Sequence, residues 1–375
     1  MLRKQTMPGR VATPRRSELP PPRKGSTPPR RSADPASASD VATVLNRYLS
    51  KRLQSSSLTF QKLPEEYPDG WETHTYSFHL RSSGRLPRSF GGPLIARIYL
   101  DRQGIARARH ECAVMRHMRQ LRFPVTEPLL LEEKCHYFGG PFFLRTEACG
   151  ETLLRVMLRR PRKLWMAAGS MAALQARLHQ LPAHGFPVPA EPLLARSLQE
   201  LAEDIRAAGW KGLLPGLNWL VSHRPDPPSD PRILHLDFHP MNLIQQADGS
   251  VVPIDWPESD IGDPHADVAT SLVLTECTPA KNTGPLDRVS VWVGRAWFVR
   301  WYLRTYRRRM GLDESTLVYY RAWAALRRLC RYGKWLNANG ISGVCKPSAV
   351  ARIHPADWRI LETYFEKWTG IRVRL

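Results

Sequence analysis

Within one stretch of the chain, three residues have the types and spacing that phosphate chemistry requires. From position 232 it reads Arg232-Ile-Leu-His235-Leu-Asp237-Phe-His239-Pro-Met-Asn242-Leu-Ile-Gln-Gln-Ala-Asp248-Gly249-Ser-Val-Val-Pro-Ile254-Asp255-Trp256. Asp237 offers a carboxylate that can accept a hydroxyl proton. Asn242 and Asp255 offer hard oxygen ligands suited to magnesium. Transfer of a phosphoryl group from a nucleotide to an alcohol needs both kinds of group, because its transition state is stabilised mainly by positioning and charge neutralisation.

The sequence around these residues predicts how they are brought together. Ile233-Leu234 is an apolar run that leads into a polar loop holding Asp237. Leu243-Ile244 opens a short strand, Asp248-Gly249 is a strong hairpin turn, and Val251 to Ile254 forms the returning strand. The hairpin places Asn242, before its first strand, beside Asp255, after its second. Upstream, Asp40 can cap a helix carrying Val41, Val44, Leu45, Tyr48 and Leu49. Tyr76, Phe78 and Leu80 alternate with polar residues, and Leu94 to Leu100 is largely β-branched and apolar, so both read as strands. A helix through Ile105, Ala108, Cys112 and Met115 follows, with further strands at Pro128 to Leu131 and Phe142 to Thr146. Beyond Gly150 the pattern turns helical. Met171, Leu174, Leu178 and Leu181 form one stripe, Leu198, Leu201 and Ile205 a second, and Val293, Trp297 and Trp301 a third. Gly311 is expected to end that last helix and Asp313 to cap the next. The reading is an α+β chain with a disordered basic tail over 1–39, a small β-rich lobe over 40–148 and a large mainly helical lobe over 149–375.

The stretch resembles the aminoglycoside-phosphotransferase and related small-molecule kinases. Those enzymes carry an H-x-D-x-x-x-x-N loop and a downstream Ile-Asp-Trp, here His235, Asp237, Asn242 and Ile254-Asp255-Trp256. Gly262-Asp263-Pro264 with Asp267, and the Leu178-His179 phrase, extend the likeness over roughly residues 60 to 275. The resemblance implies a two-lobed protein-kinase-like fold using ATP and Mg2+. It assigns Asp237 as catalytic base and Asn242 and Asp255 as metal ligands. Arg97 stands where such kinases put the phosphate-binding lysine, with Glu111 as its ion-pair partner. Gly70 lies in the expected nucleotide loop, and Glu147 in the hinge between lobes. His235 and Asp267 are read as structural supports of the loop. Three features depart from the pattern: arginine at 97, a nucleotide loop with one glycine, and Leu236 where a glycine often separates the histidine from the aspartate.

The same residues admit other readings. His235, Asp237 and His239 with Asp255, Asp263 and His265 have the ligand types of a dimetal phosphohydrolase. A catalytically weak nucleotide-binding scaffold is the third reading. The formal net charge is +21, of which +15 remains outside the first 40 residues. A body this basic attracts anions and disfavours a polycationic aminoglycoside, although Glu200, Glu203, Asp204, Glu258 and Asp260 could gather into a local acidic cluster. The expected acceptor is therefore a neutral or anionic small molecule with a hydroxyl group. The Pro- and Arg-rich tail is read as solvated, in preference to a nucleic-acid or anionic-surface arm. The six scattered cysteines form no C-x-x-C pair, and no apolar run spans a bilayer, which fits a cytoplasmic protein.

Overall fold

The structure, a computed structural model, describes residues 38–68, 70–100, 104–189, 191–279, 285–337, 346, 350 and 353–375. The expected tail, except its last residues, and Asp69 of the nucleotide loop lie outside the described residues.

Alternating apolar residues build the first layer. Strands β1 (Thr59–Glu66), β2 (Thr73–Arg81), β3 (Pro93–Tyr99), β4 (Pro128–Glu132) and β5 (Phe142–Thr146) form an antiparallel sheet in the order β1-β2-β3-β5-β4. On one face Tyr76, Phe78, Leu80, Leu94, Ala96, Ile98, Phe142 and Leu144 pack with Val41, Leu45 and Leu49 of helix α1 (Ala38–Arg52). Side chains alternate across a strand, so the opposite face carries Arg97, Tyr99, Phe143 and Arg145. Helix α2 (Gly104–Gln120) lies on that side and buries Glu111, Cys112, Met115 and Met118. Helix α1 starts at Ala38, so Asp40 sits in its first turn and does not cap it.

The second lobe wraps its helices around short strand pairs. β6 (Glu151–Thr152), α3 (Leu153–Arg159), α4 (Leu164–His179), α5 (Leu193–Ala208) and α6 (Leu214–Ser222) come first. The expected hairpin is β8 (Leu243–Gln245) with β9 (Val251–Pro253), and β6 adds a third strand beside β8. Gly150 lets β6 approach this closely: a Cβ there would lie 2.1 Å from the Gln245 carbonyl oxygen. β7 (Arg232–Leu234) pairs with β10 (Asp260–Gly262), a partner too short to stand out in the sequence. Helices α7 (Pro264–Glu276), α8 (Pro285–Arg307), α9 (Glu314–Asn337) and α10 (Pro355–Thr369) complete the described residues.

At α8 the expected stripe is on the wrong face. Phe298, Tyr302 and Tyr306 enter the core, whereas Val293 and Trp297 are exposed and Trp301 half-buried. Both triplets have the same spacing, so periodicity alone cannot choose between them. α8 also ends at Arg307, before Gly311. Asp313 does cap α9, accepting from the Thr316 N–H at 2.7 Å.

Trp256 is fully buried between the lobes, where Phe143 and α2 meet Ile233 and Leu178. Trp256→Ala should cost about 3–5 kcal/mol, read as a lower urea midpoint. A loss under about 1 kcal/mol would mean that this layer does not couple the lobes.

Candidate active site

The loop that carries Asp237 is fixed by one buried carboxylate. Asp267, on the first turn of α7 and 0% exposed, accepts from the backbone N–H of His235 at 3.2 Å and of Leu236 at 2.6 Å. His179, at the end of α4, reaches the same carboxylate at 3.0 Å and the Tyr306 hydroxyl at 2.6 Å. Leu236 adopts φ +59°, a left-handed conformation that turns the chain sharply into Asp237. His235 then spans the two loops. Its Nδ1 accepts from the Asp237 N–H at 3.3 Å, and its Nε2–H donates to the Ile254 carbonyl at 3.2 Å. That pairing fixes a neutral tautomer, in agreement with burial holding its pKa below the usual histidine value against the pull of Asp267 and Asp237.

Asn242 folds back on the loop, its amide nitrogen donating to the Asp237 carbonyl at 3.0 Å and to Asp237 Oδ2 at 2.7 Å. The Asn242 carbonyl in turn accepts from the Ile254 N–H at 2.9 Å, so the hairpin closes beside Asp255. Burial raises the Asp237 carboxyl, but His239, 3.6 Å away, together with Arg331 and Arg328, outweighs it and holds the group well below the usual range. Asp237 is therefore ionised at neutral pH and able to accept a proton.

Asp255 also takes a left-handed φ, +70°. Its Oδ1 meets Arg97 Nη1 at 2.8 Å, and the same Nη1 donates to Glu111 Oε1 at 2.7 Å. Glu111 Oε2 accepts from Tyr99 at 2.8 Å. Arginine thus forms the ion pair to α2 that a lysine would make, and it extends to the Asp255 loop as well. Its buried Nε has no acceptor among the described residues.

The nucleotide loop and hinge differ from expectation in detail. A Cβ at Gly70 would lie 2.7 Å from the Thr73 carbonyl oxygen, so the turn requires glycine. The two residues after it are tied to the other lobe: Trp71 stacks on Trp335 at 4.7 Å, and Glu72 pairs with Arg107 and Arg331. At the hinge, the Glu147 carboxylate accepts from Tyr67 at 2.5 Å and Ser77 at 2.7 Å, and its N–H donates to Pro93. The Glu147 side chain braces β1 and β2. Sequence reasoning passed over Arg145, a buried cation on the Arg97 face whose Nη1 donates to the Thr146 carbonyl at 3.2 Å. An arginine within an apolar strand, two residues before the hinge, was the available signal.

Beside Asp237 opens a cavity of about 290 Å³, walled by α5, α7 and α9 and roofed by Glu72 and Arg107. The expected acidic cluster is present only in part, and its charge is compensated. Glu258 pairs with Arg107, Arg327 and Arg331, Asp204 with Lys334, and Asp260 with Arg196. Glu72 is pulled down to about 2: burial opposes ionisation, but Arg331 and Arg107 overcome it. Arg328 packs over Tyr332 and Trp335, and it is the one cation of the cavity lining that forms no ion pair among the described residues.

The dimetal arrangement does not form. Among the described residues no group of three or more His, Cys, Asp or Glu side chains converges on a metal position. Both nitrogens of His235 are engaged, and Asp263 caps α7 while binding His265, which accepts from the Asp313 N–H.

The neutral His235 sets a pH dependence. Its folded pKa is depressed, so the unfolded chain takes up its proton first, at the ordinary value of about 6.5. The stabilisation is complete above that pH and is lost as pH falls below it. Melting temperature should therefore decline from pH 7 to 5, and His235→Gln should flatten that decline. An unchanged slope in the variant would show that His235 does not titrate with unfolding.

The sequence profile of the phosphotransferase enzyme family matches residues 65–312. The fold is similar to that of aminoglycoside phosphotransferase APH(4)-Ia, at 15% identity and TM-score 0.59 over 87% of this chain and 98% of that one. Amicoumacin kinase hAmiN, crystallised with AMP-PNP and Ca2+, matches at 16% identity and TM-score 0.56 over 88% and 96%. A Ralstonia eutropha JMP134 protein, provisionally described as an aminoglycoside phosphotransferase, matches at 17% and 0.58 over 87% and 98%. A search of curated protein sequences finds no match. With a two-lobed kinase-like fold and a family match across both lobes, the chain belongs to the phosphotransferase enzyme family and is a small-molecule kinase.

Proposed function

We propose that the protein transfers the γ-phosphoryl group of Mg2+-ATP to a hydroxyl of a small anionic molecule. The observation that carries the reading is the cavity beside Asp237, in which Glu72, Asp204 and Glu258 are paired with cations while Arg328 has no carboxylate partner among the described residues. At about 290 Å³ it lies at the lower end of ligand pockets, a size that favours an acceptor near that of a monosaccharide.

The residues present fit magnesium and nucleotide. Asn242 turns its amide nitrogen to Asp237, and its side-chain oxygen is a hard ligand of the type that would join Asp255 in holding magnesium. The buried Arg97 Nε has no acceptor among the described residues, and a phosphate oxygen would supply one. Magnesium, when bound, neutralises charge on the phosphates. Asp237 accepts the hydroxyl proton as the acceptor oxygen bonds to phosphorus and the bond to the departing nucleoside diphosphate breaks. His239 and Asn242 hold the Asp237 carboxylate toward the cavity. Arg328 binds the acceptor's own anionic group. Gly70 and the Thr146–Glu147 hinge place the nucleotide between the lobes, where Tyr67 and Ser77 keep Glu147 in position.

Thermal stability with and without Mg2+-ATP provides the test for the donor. Ligand at a hundred times Kd adds about 2.7 kcal/mol, so the wild type should melt several degrees higher. Asp255→Ala should show no Mg2+-dependent shift and a turnover lower by at least about a hundredfold. Full turnover in that variant would sink the assignment.

For the acceptor, matched alcohols with and without a phosphate or carboxylate give the comparison. Arg328→Ala should raise KM for the charged member roughly ten- to a hundredfold and leave kcat nearly unchanged. Efficient phosphorylation of an aminoglycoside by the wild type would overturn the anionic class.

A further inference from the structure

The exposed face of α8 continues along one line from aromatic to basic. Val289, Trp292, Val293 and Trp297 recur at helical spacing and are all exposed, Trp292 at 69% and Trp297 at 53%. One turn on, Trp301 lies 6.4 Å from Trp165, which is 55% exposed at the start of α4 beside the exposed Met166. Leu158, at 69%, stands on the α3 end of the same segment. Single exposed apolar residues need no explanation, but two exposed indoles on one helix with a third, Trp165, exposed on α4 do.

Charge flanks this surface on both sides. Exposed Arg300, Arg304 and Arg308 continue the α8 face toward its C-terminus, and exposed Arg160, Arg162 and Lys163 occupy the turn into α4. Arg304 packs over Trp301 at 5.7 Å. No Asp or Glu occurs from residue 153 to 190, or from 288 to 312. The nearest carboxylates engage Arg159 and Arg307 and leave the arginines named above unmatched by acid from their own segments.

We infer that this face docks the kinase on an anionic phospholipid surface. Indole rings settle at the boundary between headgroups and acyl chains, with aliphatic neighbours such as Met166 and Val293 beneath that boundary, while flanking cations attract acidic headgroups. No described helix is long and apolar enough to cross a membrane, so the contact is peripheral. A protein partner would need a matching acidic and apolar face. Single-stranded nucleic acid would use the indoles for stacking but gives the aliphatic residues no role. The cavity lining includes no residue of α8, so docking leaves the acceptor site free.

Co-sedimentation of the full chain with vesicles tests the inference. The vesicles are pure phosphatidylcholine, or phosphatidylcholine with about one part in four phosphatidylserine. The expected result is at least tenfold tighter, salt-sensitive binding to the anionic vesicles. Trp292→Ser with Trp297→Ser should lose most of that binding at unchanged melting temperature and kcat, and Arg300→Glu with Arg304→Glu should do the same. Undiminished binding by the indole variant would assign any attraction to charge elsewhere and overturn the proposal. Equal binding to both vesicle types, a preference for single-stranded RNA, or self-association lost in the same variants would also overturn it.

Discussion

The Asp267 carboxylate is the interaction on which the rest of the site depends. It is fully buried, and it accepts two consecutive backbone N–H groups and the ring of His179. A buried charge so bonded is stable only while its partners remain, since removing one partner of such a group costs about 3–5 kcal/mol. Those partners come from α4, α7 and the loop that carries Asp237, so the position of Asp237 is set by the packing of these helices as well as by its own loop. The same bonds hold Leu236 in a conformation that costs an L-residue about 1–2 kcal/mol. The Leu236 side chain is buried in the large core, a gain of about 1.5–3 kcal/mol. The two effects are comparable, which explains how leucine is tolerated where a glycine would turn freely.

A second set of ion pairs joins the lobes. Arg97 bridges Glu111 of α2 and Asp255 of the hairpin, while Glu72 and Arg107 of the small lobe meet Arg331 and Glu258 of the large one. Each bridge engages a group that the proposed reaction needs in another role. In the proposed reaction Asp255 would hold magnesium while bonded to Arg97, and Glu72, two residues after Gly70, is paired with Arg107 and Arg331.

The sequence made the catalytic hairpin legible because its signals are local. A histidine, two aspartates and an asparagine at fixed spacing surround a turn that Asp248-Gly249 specifies, and the register of β8 with β9 follows. The face of α8 was not legible, because aromatic residues surround that helix and both candidate stripes satisfy the same period. The pairing of Glu72 with Arg331 joins residues far apart in the chain, and no composition or spacing marks it. β10 is three residues long and is visible only through its pairing with β7. The Gly70 turn was read for its glycine, yet what anchors it is Trp71 on Trp335, a contact with α9 that the local pattern does not encode.

Net charge alone was a blunt guide to the acceptor, because most arginines near the site answer a carboxylate. Five acidic residues line the cavity with five basic ones, which by count would make it neutral. Pairing distributes that charge unevenly, since among the described residues Glu200 meets only Arg196, outside the lining. Arg327 and Arg331 lie four residues apart on α9 and both serve Glu258, whereas Arg328, one position round the helix, pairs with no carboxylate among the described residues and adds to the positive charge, led by His239 and Arg331, that lowers the Asp237 pKa. A cation that stabilises the catalytic carboxylate as an anion would also repel an aminoglycoside ammonium and hold a phosphate or carboxylate. In the proposed reading, one residue thus links the ionisation of Asp237 to the charge of the acceptor.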